Sequence, residues 1–484
     1  MPIDFYNKLN KAKDVYTFRD FILLPGLSKI EPEDVILTSN FSTDIKLNVP
    51  LVSSPMDTVT ESEMAISMAR EGGLGIIHRN MSIDKQVEEV KKVKRAESFI
   101  IKNLVTASPD LLISEATKIM SKHNVSGLPI VKNKKLIGLL TKRDVKFSDD
   151  INSQVSNLMT KTVVTASESV SIDEAKRIMH KNRVEKLPVI NKVNELIGLI
   201  TVKDIYSREK YSLASRDDEG RLLVGASISP FDFKRAKALD DYVDVLVSDV
   251  AHFHNENILK AANKISKEIS SNFVVGNLGT EASVEDVIHR IDKFDGIRAG
   301  VGSGSICITS EVTKAGSPTL FAVSQIASKL QEHNLSKPII ADGGIQSSGD
   351  AALAFAIGAS SVMMGNVFAG CNESPGNLIK IGGKYYKQYR GMGSDSARAQ
   401  NYIIDRYSKK GKTIAEGVEG VVPSRGNISE LIKDFVGGLQ ASFGYAGAKD
   451  IKTLWHTSSL GQITGVGSDE LKPHNIILPG EDKY

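Results

Sequence analysis

The chain has 484 residues, 41% of them hydrophobic and 25% charged, the balance of a soluble globular protein. It is too long for one ordinary domain and suits one large domain plus a smaller one. A formal net charge of +3 with no long basic tract excludes nucleic acid as an implied partner, and two cysteines, Cys307 and Cys371, are too few for a disulfide framework and point to a reducing, cytoplasmic setting.

Residues 1–10 carry charges and no apolar core, so they do not read as a secretory signal. Residues 1–50 read as a lead-in. Leu51-Val52-Ser53-Ser54-Pro55-Met56-Asp57 reads as a buried strand ending in a polar loop. Helical spacing over 60–70 puts Met64, Ala65, Met68 and Ala69 on one stripe, with Thr60 as N-cap and Gly72-Gly73 as the stop. Leu74-Gly75-Ile76-Ile77-His78 is the next buried strand, and residues 83–95 form a charged amphipathic helix. Strand, helix, strand, helix opens a parallel α/β fold.

The pattern changes near residue 96 and resumes near 220. Between them lies an internal repeat. Val105-Thr106-Ala107-Ser108 recurs as Val164-Thr165-Ala166-Ser167, and Gly127-Leu128-Pro129-Ile130-Val131 as Lys186-Leu187-Pro188-Val189-Ile190. Leu136 to Asp144 recurs as Leu196 to Asp204, each copy ending Thr-x-x-Asp. The order of blocks resembles a tandem pair of CBS modules, with copies over 96–150 and 151–212. That resemblance implies adenine or guanine nucleotides in clefts between the copies, with Asp144 and Asp204 holding ribose hydroxyls. The plainer reading is that both aspartates only cap the following helix.

After the repeat come six more short apolar runs, each finished by a polar or glycine residue. They begin at Arg221, Val243, Asn272, Gly296, Lys337 and Ser361. With the two earlier strands the count is eight, which predicts a (β/α)8 barrel whose site sits at the C-terminal strand ends. Residues 351–364, the longest apolar region, are broken by Gly358, Ser360 and Ser361 and do not suit a membrane span. At the sixth strand end stands Gly300-Val301-Gly302-Ser303-Gly304-Ser305-Ile306-Cys307-Ile308-Thr309. Glycine backbone there can approach an ion or ligand, and the cysteine faces it. The bland alternative is a turn with a cysteine buried as a small hydrophobe. Asp342-Gly343-Gly344 and Gly365-Asn366 add a phosphate- and ribose-type constellation, and Tyr389-Arg390-Gly391-Met392-Gly393-Ser394 adds another glycine-rich loop. Residues 394–425 lack apolar periodicity and read as a long mobile catalytic flap. The domain expectation is therefore barrel over 1–95, inserted pair over 96–212, and barrel with flap over 213–484.

These motifs, together with Asp405-Arg406-Tyr407, resemble the inosine 5′-monophosphate dehydrogenase family over nearly the full length. The resemblance implies oxidation of IMP to XMP with NAD, the committed step of guanine nucleotide synthesis. Cys307 would attack C2 of the purine, and Arg406 with Tyr407 would activate the water, oriented by Thr309 and Glu416. IMP would lie against Ser54, Met56, Ser305, Asp342, Gly343, Gly344, Gly365, Asn366, Tyr389, Gly391, Met392, Gly393 and Glu416. NAD would face Asp249, Asn277, Gly300, Val301 and Gly302. Potassium would sit on carbonyls of Gly302, Gly304 and Cys307, with Glu470 from a neighbouring subunit of a homotetramer; such tetramers pair into octamers. GMP reductase is the nearest alternative, expected to lack both the insert and the Arg-Tyr pair. A third reading is a nucleotide-sensing scaffold with little catalysis. His252 and His254 have no zinc-type partners, and Cys371 reads as structural.

Overall fold

The structure, a computed structural model, describes residues 5–97, 100–102, 104–123, 125–148, 150–403, 414–465 and 467–471. Eight parallel strands close a barrel: β1 (Leu51–Ser53), β2 (Leu74–Ile77), β3 (Gly225–Ile228), β4 (Val245–Ser248), β5 (Asn272–Leu278), β6 (Gly296–Ala299), β7 (Ile339–Asp342) and β8 (Ser361–Met364). Their residues are almost all buried because side chains fill the inside and helices cover the outside. The ring closes where Leu51 pairs with Val362, and Ile76 pairs with Gly225 across the whole inserted segment. Phe41, Ile45 and Leu47 of the lead-in pack with Val52, Leu74, Leu223, Val245 and Ile340, plugging the N-terminal end of the barrel. The opposite end is left for loops.

Two local expectations shift. β3 begins at Gly225 rather than Arg221. Leu222, Leu223 and Val224 are buried ahead of it, and the Val224 N–H goes to the Asp244 carboxylate instead of a strand partner. Leu223 joins the plug, and Leu222 bridges Arg216 rather than a barrel strand. The helix after β1, Ser62–Arg70, has Glu61 at its N-cap position. Thr60 is buried, and its hydroxyl donates to the Ser54 carbonyl at 2.7 Å, so it braces the β1 loop and not the helix.

The longest apolar region is α1, our label for Ser348–Ala356, running into β8. It is buried on several sides, with Phe355 edge-on to Phe443. No helix among the described residues is long and apolar enough to cross a membrane.

The chain divides into two compact units, the second comprising Glu97–Ser212 and Asp218–Arg221. It holds two similar halves. Helix Ile113–Lys122, hairpin Gly127–Lys132 and Lys135–Thr141, and helix Lys142–Lys146 build the first. Helix Ile172–Asn182, strands Lys186–Ile190 and Leu196–Thr201, and helix Val202–Lys210 build the second. Each half has its own apolar cluster, one around Leu128, Ile130 and Leu140, the other around Leu187, Val189 and Ile200. The ends of this unit are tied together: Ile101 bridges Leu199, and Ser207 Oγ donates to Glu97 at 2.6 Å.

Candidate active site

The polar residues that end the barrel strands converge on one cleft, open to solvent. Ser54 and Met56 follow β1, Asp249 follows β4, and Asn277 ends β5. The Gly300–Thr309 loop follows β6, Asp342-Gly343-Gly344 ends β7, and Gly365-Asn366 follows β8. All these elements line the cleft, as do Tyr389, Gly391, Met392, Gly393 and Glu416. Val301 does not line it; its backbone is bonded to Ser317 in both directions at 2.8 Å.

Cys307 is partly exposed, and Sγ donates to Thr309 Oγ1 at 3.2 Å. Thr309 Oγ1 donates in turn to Glu416 Oε2 at 2.8 Å. Glu416 is only 3% exposed. It is delivered here because the 416–418 stretch is stitched to the cysteine loop: Ile308 N–H donates to the Glu416 carbonyl at 3.1 Å, and Val418 N–H to that of Ile306 at 3.1 Å. A thiol, a hydroxyl and a carboxylate thus form one hydrogen-bonded line, a geometry that can pass a proton. The loop's tight path needs glycine at Gly300, where φ is +116° and an added Cβ would meet Thr319 Oγ1 at 2.6 Å.

The other cysteine contrasts with it. Cys371 is fully buried, and desolvation pushes its thiol up to about 12. Brief iodoacetamide treatment of the folded protein at neutral pH is therefore expected to alkylate Cys307 and spare Cys371, as read by peptide mass mapping. Equal labelling of both would contradict this burial.

Asp342 is held by two residues, one of which the sequence left unmarked. Arg298 Nη2 and Asn277 Nδ2 each donate to Asp342 Oδ2 at 2.7 Å, and Arg298 Nη1 donates to the Ser248 carbonyl at 2.8 Å. Both contacts use one carboxylate oxygen, and Asp342 lines the cleft. Arg298 was legible only as a charge between Ile297 and Ala299 in an apolar strand. Opposite, Tyr389 Oη lies 3.5 Å from Ser305 Oγ, and burial pushes its phenol up to about 12. A bidentate pair between Arg390 and Asp57, at 3.1 and 2.6 Å, fixes the Tyr389–Gly393 loop over the β1 end.

The stretch read as one long flap is partly regular. Asp395–Arg398 is a helical turn, and Glu419–Pro423 is a strand paired with Lys384–Arg390. Lys384–Arg390 also pairs with Leu378–Ile381. Ile403 is buried against Met392 and Ala397. Arg406 and Tyr407 lie outside the described residues.

Asp249 is 1% exposed and ion-paired to Arg79 at 3.2 Å. Glu470 is exposed on the short helix Gly467–Glu470. His254 bonds Asp286 at 2.6 Å, and burial lowers the pKa of His252. Among the described residues no group of three His, Cys, Asp or Glu could hold a metal ion.

A family model described as "IMP dehydrogenase / GMP reductase domain" matches residues 15–474. The chain belongs to the IMP dehydrogenase / GMP reductase family. Inosine-5′-monophosphate dehydrogenase of Korarchaeum cryptofilum is 49% identical over 469 residues, covering 97% of this chain and 98% of that one. The enzyme of the same name from Thermoplasma acidophilum is 47% identical over 479 residues, covering 99% and 98%. Among solved structures, a variant of GMP reductase from Trypanosoma brucei in complex with guanosine 5′-monophosphate has a TM-score of 0.86 at 33% identity, covering 97% of this chain and all 100% of that one. That coverage corrects one expectation. The inserted unit does not separate dehydrogenase from reductase within this family, because this reductase aligns across it.

In the second unit, Asp144 and Asp204 sit in matching capping boxes. Each accepts through Oδ2, from Thr141 at 2.7 Å and from Thr201 at 2.6 Å. They occupy the third helical position rather than the N-cap itself.

Proposed function

We propose that this family member is an IMP dehydrogenase, oxidising IMP to XMP with NAD through a covalent cysteine thioimidate. The Cys307–Thr309–Glu416 line, set among nucleotide-type ligands in the cleft, carries the proposal. Its choice over the reductase rests on identity of 49% to a dehydrogenase against 33% to the solved reductase.

In this reading Asp342 accepts the ribose hydroxyls, and Ser305, Gly343, Gly344, Gly365 and Asn366 surround the phosphate. Ser54, Met56, Tyr389, Gly391, Met392, Gly393 and Glu416 frame the purine. Cys307 Sγ bonds to C2 and loses its proton. Asp249, Asn277, Gly300 and Gly302 would hold NAD, which when bound would supply the acceptor for the hydride of C2. Water then adds at C2, the C–S bond breaks, and the thiol is restored as XMP leaves. Thr309 and Glu416 orient that water and accept its proton, with Arg406 and Tyr407 as the resemblance's activating pair. A thiolate serves both as nucleophile and as leaving group, so one hard oxidation becomes two easier steps.

The cysteine loop fits a potassium ion in kind. The Gly304 carbonyl accepts from Cys307 N–H at 3.0 Å and the Gly302 carbonyl from Ser310 Oγ at 3.5 Å, and each carbonyl oxygen keeps a second lone pair. The cation would fix the loop that carries Cys307. We read the second unit as a CBS pair taking adenine or guanine nucleotides at Asp144 and Asp204, and the assembly as a homotetramer.

The test is absorbance at the NADH band with IMP and NAD, in potassium and in sodium. NADH formation faster in potassium is expected. Ammonia released from GMP with NADPH, and no NADH from IMP, would instead mark the reductase. Tight ATP or GTP binding without any turnover would mark the sensor reading.

A further inference from the structure

We propose that Arg79 is a positioning residue that couples dinucleotide binding at Asp249 to the seating of residues 395–403; this rests on the function proposed above. Arg79 follows β2 and is the largest fully buried side chain among the described residues. Burying a guanidinium is costly unless its donors are used, so its contacts report what the site needs. Nε donates to Asp249 Oδ2 at 3.2 Å, and Nη2 to the Asp249 carbonyl at 3.0 Å. Nη1 points elsewhere, to the Tyr402 carbonyl at 3.2 Å. One rigid fork therefore holds the β4 end and the main chain of 395–403 together.

The neighbouring residue strengthens the seat. Asn80 Nδ2 donates to the Ala397 carbonyl at 3.1 Å and to Asp57 Oδ2 at 2.8 Å. The Gln400 amide, in the orientation that satisfies both its atoms, donates to the Asn80 carbonyl at 3.0 Å and accepts from Arg390 at 3.1 Å. Residues 395–403 thus rest on Arg79-Asn80, and only Arg79 also grips Asp249. A ligand hydroxyl that draws on the Asp249 carboxylate must share it with Arg79. The fork is planar and stiff, so movement at Asp249 is passed to Tyr402. Asp249 lines the cleft, whereas Tyr402 does not. The coupling therefore joins a ligand-facing group to a segment outside the cleft wall.

Arg79→Lys keeps the charge but cannot span both partners. Arg79→Gln keeps much of the length without the charge, and it is run alongside so that either can be read if the other fails to fold. The readouts are KM for NAD and for IMP, the NADH burst against steady-state rate, and hydrogen exchange of amides 395–403 with and without NAD. We expect KM for NAD to rise about tenfold with KM for IMP unchanged, since a charged hydrogen bond is lost on one side only. We also expect the first-turnover burst to survive while the steady state slows. NAD should alter exchange in 395–403 of the unmodified protein and not in the variants. A folded variant with unchanged KM for NAD, or with the exchange response intact, would overturn the coupling. If the unmodified protein forms no NADH from IMP, the proposed function falls, and the exchange response to NAD still decides the coupling by itself.

Discussion

Cys307→Ala is expected to remove NADH formation from IMP and NAD almost entirely, by on the order of 10⁴–10⁶ in turnover. The reason is geometric. Sγ is the only thiol lining the cleft among the described residues, and it stands at the head of the line through Thr309 to Glu416. Alanine leaves the loop's hydrogen bonds intact, because Cys307 N–H to the Gly304 carbonyl and the Ile308 to Glu416 contact are both main chain. IMP should therefore still bind, which equilibrium titration can check. Stopped-flow absorbance reads the chemistry. A variant that still gives an NADH burst of one equivalent per site would show that hydride transfer does not need the thiol, and the thioimidate reading would go with it.

Thr309→Val tests the second half of the reaction. Valine matches threonine in shape but removes the hydroxyl that accepts from Cys307 and donates to Glu416. Positioned proton transfer of this kind contributes roughly 10²–10⁴-fold. The expected result is a first-turnover burst of NADH followed by a steady state slowed by that factor. Intact-protein mass spectrometry during the slow phase should find the nucleotide attached at Cys307. A steady state within about threefold of the unmodified protein would mean that the hydroxyl carries no step. Glu416→Gln should behave alike, because a neutral amide cannot take the proton.

The sequence made the barrel readable because each strand is a short apolar run stopped by a polar residue. Strand ends are also where barrels place chemistry, so Ser305, Asp342 and Gly365 could be marked before any geometry was known. What stayed hidden depends on partners far apart in the chain. Arg79 looks like a charge after a strand, and nothing local says that Asp249 will bury it. Lys384–Arg390 is too charged to read as a strand, and Glu419–Pro423 sits inside a glycine- and charge-rich stretch. They are strands because they pair with each other, and Lys384–Arg390 with Leu378–Ile381 as well. The start of β3 was misread for a related reason: Leu222 and Leu223 are buried, Leu223 in the lead-in's plug, and pair with Arg216 and Ser215 rather than with a barrel strand, which looks the same in sequence.

The tie between Glu97 and Ser207, with the bridge from Ile101 to Leu199, bears on how the chain folds. Pairing Ile76 with Gly225 must wait until the whole insert has been synthesised, so β1 and β2 stand for a time with no third strand to cover them. Their apolar edges are then open to wrong pairing. An unfolded connection of that length would also set two strand ends adrift, although each doubling of a loop costs only about 0.6 kcal/mol. The insert's own contacts are mostly local, so it can form while the nascent chain is still growing. Once formed, it draws its entry and exit together and returns the chain to the barrel beside the point where it left. For the folding barrel, more than a hundred residues then behave as one short turn.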